Sequence, residues 1–288
     1  MASIEVSGPN TEQIEFWNGL AGDRWVTQQE KLDASIGGIG IDALARAQIK
    51  EGERVLDVGC GCGQTTLEIG RRVGTTGSAL GIDISAPMLE WARKRADNAG
   101  ISNIQFANAD AETHDFGDDK FDLLFSRFGV MFFNDPVAAF SNLGSAIKSG
   151  GRLTFVCWRP PEDNPWLVMP AKAAGEHVEM PPRPGPEEPS PFAFANPDRV
   201  KHILTSAGFE NVALEQRDGD LQIGGPGTVD DAARFALTVG PAATPVAEAD
   251  AATVEKAFQS VRELIAPHHT GTAVEMPSSV WIVTATRP

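Results

Sequence analysis

Three glycines at alternate positions, Gly59, Gly61 and Gly63, follow the apolar run Val55–Val58, and a helix-forming stretch opens at Gln64. Glycine lacks the Cβ that would hold a ligand off the backbone, and free N–H groups at the opening of a helix favour a carboxylate or phosphate. Gln64 stands where a dinucleotide fingerprint wants its third glycine, which tilts the turn away from a pyrophosphate. Two acids sharpen the reading. Asp83 ends a second apolar run, Ala79–Ile84, where a carboxylate can accept from both hydroxyls of a ribose. Asp110 follows a third run, Ile104–Ala107, and can accept from an exocyclic amine such as adenine N6. Either acid alone could simply cap the next helix. Turn, ribose acid and base-reading acid after three successive strands form an ordered set, and that order points to a nucleoside site.

These residues need a scaffold that brings strand ends to one edge. With Phe121–Phe125 and Leu153–Val156, the apolar runs recur at the spacing of a strand, a crossover helix and two turns. Their continuous apolarity implies cover on both faces. Helical stretches lie between them at Thr65–Val73, Pro87–Ala99 and Pro136–Ile147, the last two opened by proline. The expected fold is α/β, a doubly wound, Rossmann-like parallel sheet. Two helices are expected before the first strand, Gln13–Lys31 and Ile41–Ile49, joined by the Gly-rich Ile36–Gly40. Beyond the fifth strand, residues 160–197 hold eleven of the twenty prolines, with one helix expected at Val168–Val178. A helix at Pro197–Ala207, a strand at Val212–Gln216, helices near Val229–Val239 and Thr253–Ile265, and a last strand at Ser279–Thr286 complete the reading. We expect a single domain, 1–288: an N-terminal helical lid (1–50), a cofactor-binding core (51–159), a Pro-rich insertion (160–196) and a C-terminal part of the sheet (197–288) with a helical insertion (218–278).

The net charge of −15 repels phosphate backbones, so nucleic acid is an unexpected partner. No apolar run reaches the roughly 20 residues of a membrane span, and the first residues do not read as a secretory signal. Three cysteines cannot build a disulfide framework, and the cytoplasm is the expected compartment. With no tyrosine anywhere, a catalytic phenol is excluded. Cys60 and Cys62 lack a second cysteine pair and a nearby histidine, so no metal is expected.

Val55–Gly63, Gly81–Ser85, Asn108–Ala111, Phe121–Phe133 and Lys148–Arg152 resemble the successive motifs of class I S-adenosylmethionine-dependent methyltransferases. The nearest branch is the small-molecule enzymes related to ubiquinone/menaquinone biosynthesis methyltransferases, the UbiE-like group. The resemblance covers about residues 50–158 well and the N-terminal helices and residues 197–217 loosely; 160–196 and 218–278 have no counterpart in it. It implies a seven-stranded sheet with an antiparallel last strand, S-adenosylmethionine as methyl donor, S-adenosylhomocysteine as product, and a small-molecule acceptor at O, N or C. By the same resemblance Asp57, Gly59, Cys60, Gly61 and Gly63 would cradle the methionine part. Asp83 would hold the ribose, with Ile84 and Met88 beside the adenine, and Asp110 and Ala111 would read its edge. Ser126 and Arg127 would line the floor below the methyl group.

Other residues keep two readings. Trp17 and Trp25, eight apart, can share a helix face and close over a sulfonium, or can anchor that helix to the core. Trp158 and Trp166 can wall an apolar acceptor or simply pack a lid. Arg127 can orient an anionic substrate or pair with an acid. His114 suits a loop-carbonyl bond better than a catalytic role, and His268 and His269 suit a helix C-terminus. Methyl transfer is an in-line displacement that needs positioning more than a base, so no catalytic residue is assigned. Two alternatives remain beside the methyltransferase: an NAD(P)-dependent oxidoreductase on the same kind of sheet, and a non-catalytic nucleoside-binding module.

Overall fold

The apolar runs become strands of one seven-stranded sheet in the computed structural model, which describes residues 8–288. Three helices come first, α1 (Thr11–Asn18), α2 (Leu20–Thr27) and α3 (Gln29–Arg46). The alternating core follows as β1 (Arg54–Val58), α4 (Gln64–Val73), β2 (Ser78–Asp83), α5 (Ala86–Ala99), β3 (Ile104–Asn108), β4 (Phe121–Arg127), α6 (Pro136–Ser145) and β5 (Ile147–Trp158). The rest comprises α7 (Pro165–Ala174), α8 (Pro197–Ser206), β6 (Glu210–Pro226), α9 (Val229–Val239), α10 (Ala243–Glu248), α11 (Ala251–Ile265) and β7 (Ala273–Thr286). Local chemistry sets many of these limits. Ser85 and Asp135 cap α5 and α6 ahead of Pro87 and Pro136, Gly100 ends α5 at φ 65°, and Thr228 with Asp231 forms a capping box on α9.

The strand order is β3-β2-β1-β4-β5-β7-β6. All pairs from β3 to β5 are parallel, while β7 runs antiparallel to both of its neighbours. The chain winds outward from β1 in one direction and then from β4 in the other. Their carboxyl ends therefore open the crevice where such sheets take ligands. Register places Asp57 beside Gly81 and Phe125, and Asp83 beside Asn108, so the motif residues reach one edge together.

Three expectations from local pattern need correction. The stretch Gln13–Lys31 is not one helix, because the chain breaks at Gly19, whose backbone is extended. Ile36–Gly40 is not a joint, because α3 runs through it. Two of its three glycines serve close packing: a Cβ on Gly37 would lie 2.9 Å from the Gln64 side chain, and one on Gly40 would lie 3.1 Å from Arg127. The insertion 218–278 is not wholly helical. Strands β6 and β7 extend into it and pair along residues 218–226 and 273–279, leaving α9–α11 between them. Those helices, with Leu32, Ala174, Ile223 and Met276, bury a second apolar cluster beside the main core.

Candidate functional site

The glycine turn is held open from behind. Gly59, Gly61 and Gly63 all have positive φ, at 66°, 54° and 81°. A Cβ on Gly59 would sit 2.6 Å from Gly129 Cα, and one on Gly63 would sit 2.9 Å from Ala92 Cβ. Asp57 is fully buried beneath the turn, where the hydroxyls of Thr65 and Thr66 donate to its Oδ2 at 2.7 and 2.6 Å. Its Oδ1 is buried without a partner among the described residues. Burial pushes this carboxyl up to about 6, against the two hydroxyl bonds. Ser126, also fully buried, donates to the Val58 carbonyl at 2.7 Å and accepts from Gly129 N–H, so it splices β4 to the end of β1.

In front of the turn lies a cavity of about 1660 Å³. Of the residues expected to cradle the donor, Trp17, Trp25, Gly59, Gly61, Asp83, Ile84, Met88, Asp110, Ala111 and Arg127 line it. Cys60 lines a recess of about 40 Å³ beside it, with Gly59, Gly61, Trp25 and Arg127. Asp57, Gly63 and Ser126 lie outside both linings and shape the turn. Asp83 is tied to the turn: Gly61 N–H donates to Oδ2 at 2.7 Å, and Ser85 N–H donates to Oδ1 at 2.8 Å. Burial lifts its carboxyl to about 6 despite those donors. Burial likewise pushes the Cys60 thiol well up and the Cys62 thiol up to about 12, so both stay protonated at neutral pH and are inert.

Arg127 bonds Gln64 and faces Asp33 at 4.0 Å, and Asp33 also accepts from Arg95 at 2.7 Å. Burial lowers the Arg127 guanidinium from its ordinary value, against the pull of Asp33. The sequence reading missed Asp33, which carries no motif and acts only because α3 lies across the turn. Trp17 and Trp25 meet edge to face at 5.4 Å from two different helices, and Trp17 also meets Phe132 at 5.6 Å. Phe128 was missed as well. It holds φ 65°, a strained setting for a non-glycine residue, and stacks on Trp158 at 4.1 Å with planes 9° apart. Trp166 packs on Trp158 at 5.1 Å, and all three line the cavity. None of the five histidines does. His177 pairs with Ser260, His269 with Gly227, and His114 packs on Phe116. Among the described residues no His, Cys, Asp and Glu cluster is placed to hold a metal ion.

A family model described as a methyltransferase domain matches residues 49–176. Aklanonic acid methyltransferase DauC of Streptomyces sp. (strain C5) is 41% identical over 104 residues, 36% of this chain, and the match spans about half of that protein (47%). The ubiquinone/menaquinone biosynthesis C-methyltransferase UbiE of Cronobacter sakazakii is 30% identical over 191 residues, covering 60% of this chain and 72% of UbiE. The chain is a class I S-adenosylmethionine-dependent methyltransferase of the UbiE-like branch. The fold agrees: a putative methyltransferase from Bacillus halodurans superposes with TM-score 0.57 at 19% identity, over 86% of this chain and 98% of that one. The oxidoreductase and the non-catalytic module find no support in these matches. The methyltransferase uses S-adenosylmethionine, and the cavity lining at the carboxyl edge of the sheet fits that molecule on its own terms. It offers backbone without Cβ atoms at Gly59 and Gly61, a carboxylate at the end of β2, a second carboxylate beyond β3, and apolar Ile84 and Met88 between them.

Proposed function

We propose that this methyltransferase acts in the cytoplasm, without a metal, on a bulky and largely apolar small molecule at an O, N or C atom. The observation that carries the reading is the size and lining of the cavity. A drug-sized ligand takes about 300–1,000 Å³, and about 1660 Å³ leaves room for a second bulky molecule beside the donor. Beyond the cradle the walls include Phe128, Met131, Phe132, Trp158, Trp166 and Leu167, an apolar surface, with charged side chains such as Lys172, Glu176 and Arg183 elsewhere in the lining. The named acceptors of its relatives, aklanonic acid and demethylmenaquinone, are small molecules too. The −15 charge argues against a nucleic-acid acceptor. For the compartment, three buried free cysteines fit a reducing environment, and no helix among the described residues is long and apolar enough to cross a membrane.

Bound S-adenosylmethionine supplies an electrophilic methyl on a sulfonium. The protein's part is placement. In this reading Asp83 accepts from the ribose hydroxyls, Asp110 and Ala111 meet the adenine edge, Ile84 and Met88 flank its faces, and Trp17 and Trp25 present aromatic rings toward the cation. The Phe128–Trp158 stack and Trp166 hold the acceptor against the donor and exclude water. Orientation of this kind supplies on the order of 7–11 kcal/mol in well-aligned systems.

The direct test incubates purified protein and donor with a metabolite extract and seeks products heavier by one CH2 in the mass spectrometer. Donor binding without any such product would remove the reading. A sharper expectation concerns the wall: Trp158→Ala raises the acceptor KM about fivefold, the worth of an aromatic contact, and leaves donor affinity unchanged. Equal loss of both, measured by steady-state kinetics and calorimetry, would place Trp158 elsewhere in the mechanism.

A further inference from the structure

Asn10 occupies the N-cap position of α1, where asparagine ordinarily turns its side chain back to accept from the helix's own N–H groups. Here it makes no such bond. Its side chain reaches instead across 100 residues to Asp110, donating from Nδ2 to Oδ1 at 2.9 Å and to Oδ2 at 3.0 Å. The same Nδ2 lies 3.2 Å from Glu112 Oε2, while Oδ1 accepts from Asn134 N–H at 3.0 Å. Glu112 accepts in turn from the N–H groups of Asn134 and Asp135 at 3.1 and 3.2 Å. Asn10 is only 5% exposed, and both it and Asp110 line the cavity. One amide thus links the N-terminal lid, the loop after β3 and the loop after β4.

We propose that Asn10 is a positioning residue for recognition of the donor's base: it fixes the carboxylate of Asp110 while fastening the lid over that end of the cavity. The inference rests on the proposed pairing of Asp110 with the adenine amine. Asp110 Oδ1 already carries two donors, Asn10 Nδ2 at 2.9 Å and Glu112 N–H at 2.9 Å, which fill its two lone pairs. Oδ2 carries only the shared amide at 3.0 Å and keeps a lone pair for an incoming N–H. A carboxylate free to rotate would offer that pair in many directions; one clamped at both oxygens offers it in one. The amide also stands between two neighbouring carboxylates, Asp110 and Glu112, and donates to both. The helix gives up a cap to make this arrangement, so the contact is more than local helix capping.

The test pairs a protein change with a ligand change. Calorimetry measures the binding of S-adenosylhomocysteine and of S-inosylhomocysteine, its deaminated counterpart, to the wild type, Asn10→Ala and Asn10→Ser. The wild type should prefer the adenine form by on the order of tenfold, as befits a hydrogen bond to a charged group. Both variants should bring that ratio to near unity, chiefly by weakening the adenine form. Asn10→Ser can restore a cap on α1, so a fold defect from a bare helix start is separated from the effect on recognition. If both ligands weaken by the same factor and the preference survives, Asn10 is a structural tie only and the proposal is overturned. A wild type that binds S-adenosylhomocysteine with no preference would instead remove the Asp110 assignment, and one that binds neither ligand would remove the donor site itself.

Discussion

Gly59→Ala is expected to destroy donor binding and to lower the melting temperature by several degrees. The new methyl would lie 2.6 Å from Gly129 Cα, an atom of the backbone that cannot swing away as a side chain would. The residue would also have to hold φ 66° with a Cβ present. The left-handed setting costs roughly 1–2 kcal/mol, and forcing an added carbon into a packed site costs roughly 1–3 kcal/mol more. The turn can relieve that contact only by withdrawing from the end of β4, which moves the Gly61 amide off Asp83. Gly117→Ala is the control. Gly117 has φ 52°, but an added methyl there would meet nothing within 4 Å, so it carries the conformational cost alone. Thermal melts and titration with S-adenosylhomocysteine should separate the two variants clearly. Identical melts and identical affinities would show that the Gly59–Gly129 approach does not shape the site.

The second large effect concerns Asp83. Asp83→Asn should weaken donor binding roughly ten- to a hundredfold, the worth of a charged hydrogen bond together with a disturbed turn. Both carboxylate oxygens already accept backbone N–H groups, from Gly61 and Ser85. An amide has one accepting oxygen, so its NH2 would face one of those donors. The pH dependence follows from burial, which lifts this carboxyl to about 6. In the proposed donor pose the ionised form would accept from the ribose on both oxygens and the protonated form would not. Affinity in the wild type should therefore rise as pH climbs through about 6 and level off above it. Asp83→Asn, having no proton to lose there, should show a flatter profile. Calorimetry between pH 5 and 8 decides the matter, and a variant with wild-type affinity and slope would retire the ribose assignment.

Residues that act through their neighbours in sequence were legible in advance. The runs at Val55–Val58, Ala79–Ile84 and Phe121–Phe125 became β1, β2 and β4, since continuous apolarity leaves a short segment little choice but a buried strand. Proline announced α5 and α6, because a fixed φ acts within one turn, and the structure adds the Ser85 and Asp135 caps just ahead of them. The glycine turn, Asp83 and Asp110 came from order along the chain, and the parallel winding brings them to one edge.

The misread segments share a cause. Gly37 and Gly40 look like helix breakers, yet α3 continues through them because Gln64 and Arg127 press against that face. Packing outweighed a propensity cost of about 1 kcal/mol per glycine. Residues 218–226 fall in the expected helical insertion, yet β7 pairs along most of them and supplies the ladder that their glycines alone would not hold.

The sequence by itself determined the order of strands and helices from β1 to β5, the open glycine turn and the acids that follow it, because those depend on contacts a few residues long. Only the tertiary structure decided that Asn10 meets Asp110, that Asp33 stands between Arg95 and Arg127, and that Phe128 stacks on Trp158 beside Trp166. Each of these contacts joins residues on different elements. Their energies depend on where whole helices and strands come to rest, and no local pattern of residue types carries that information.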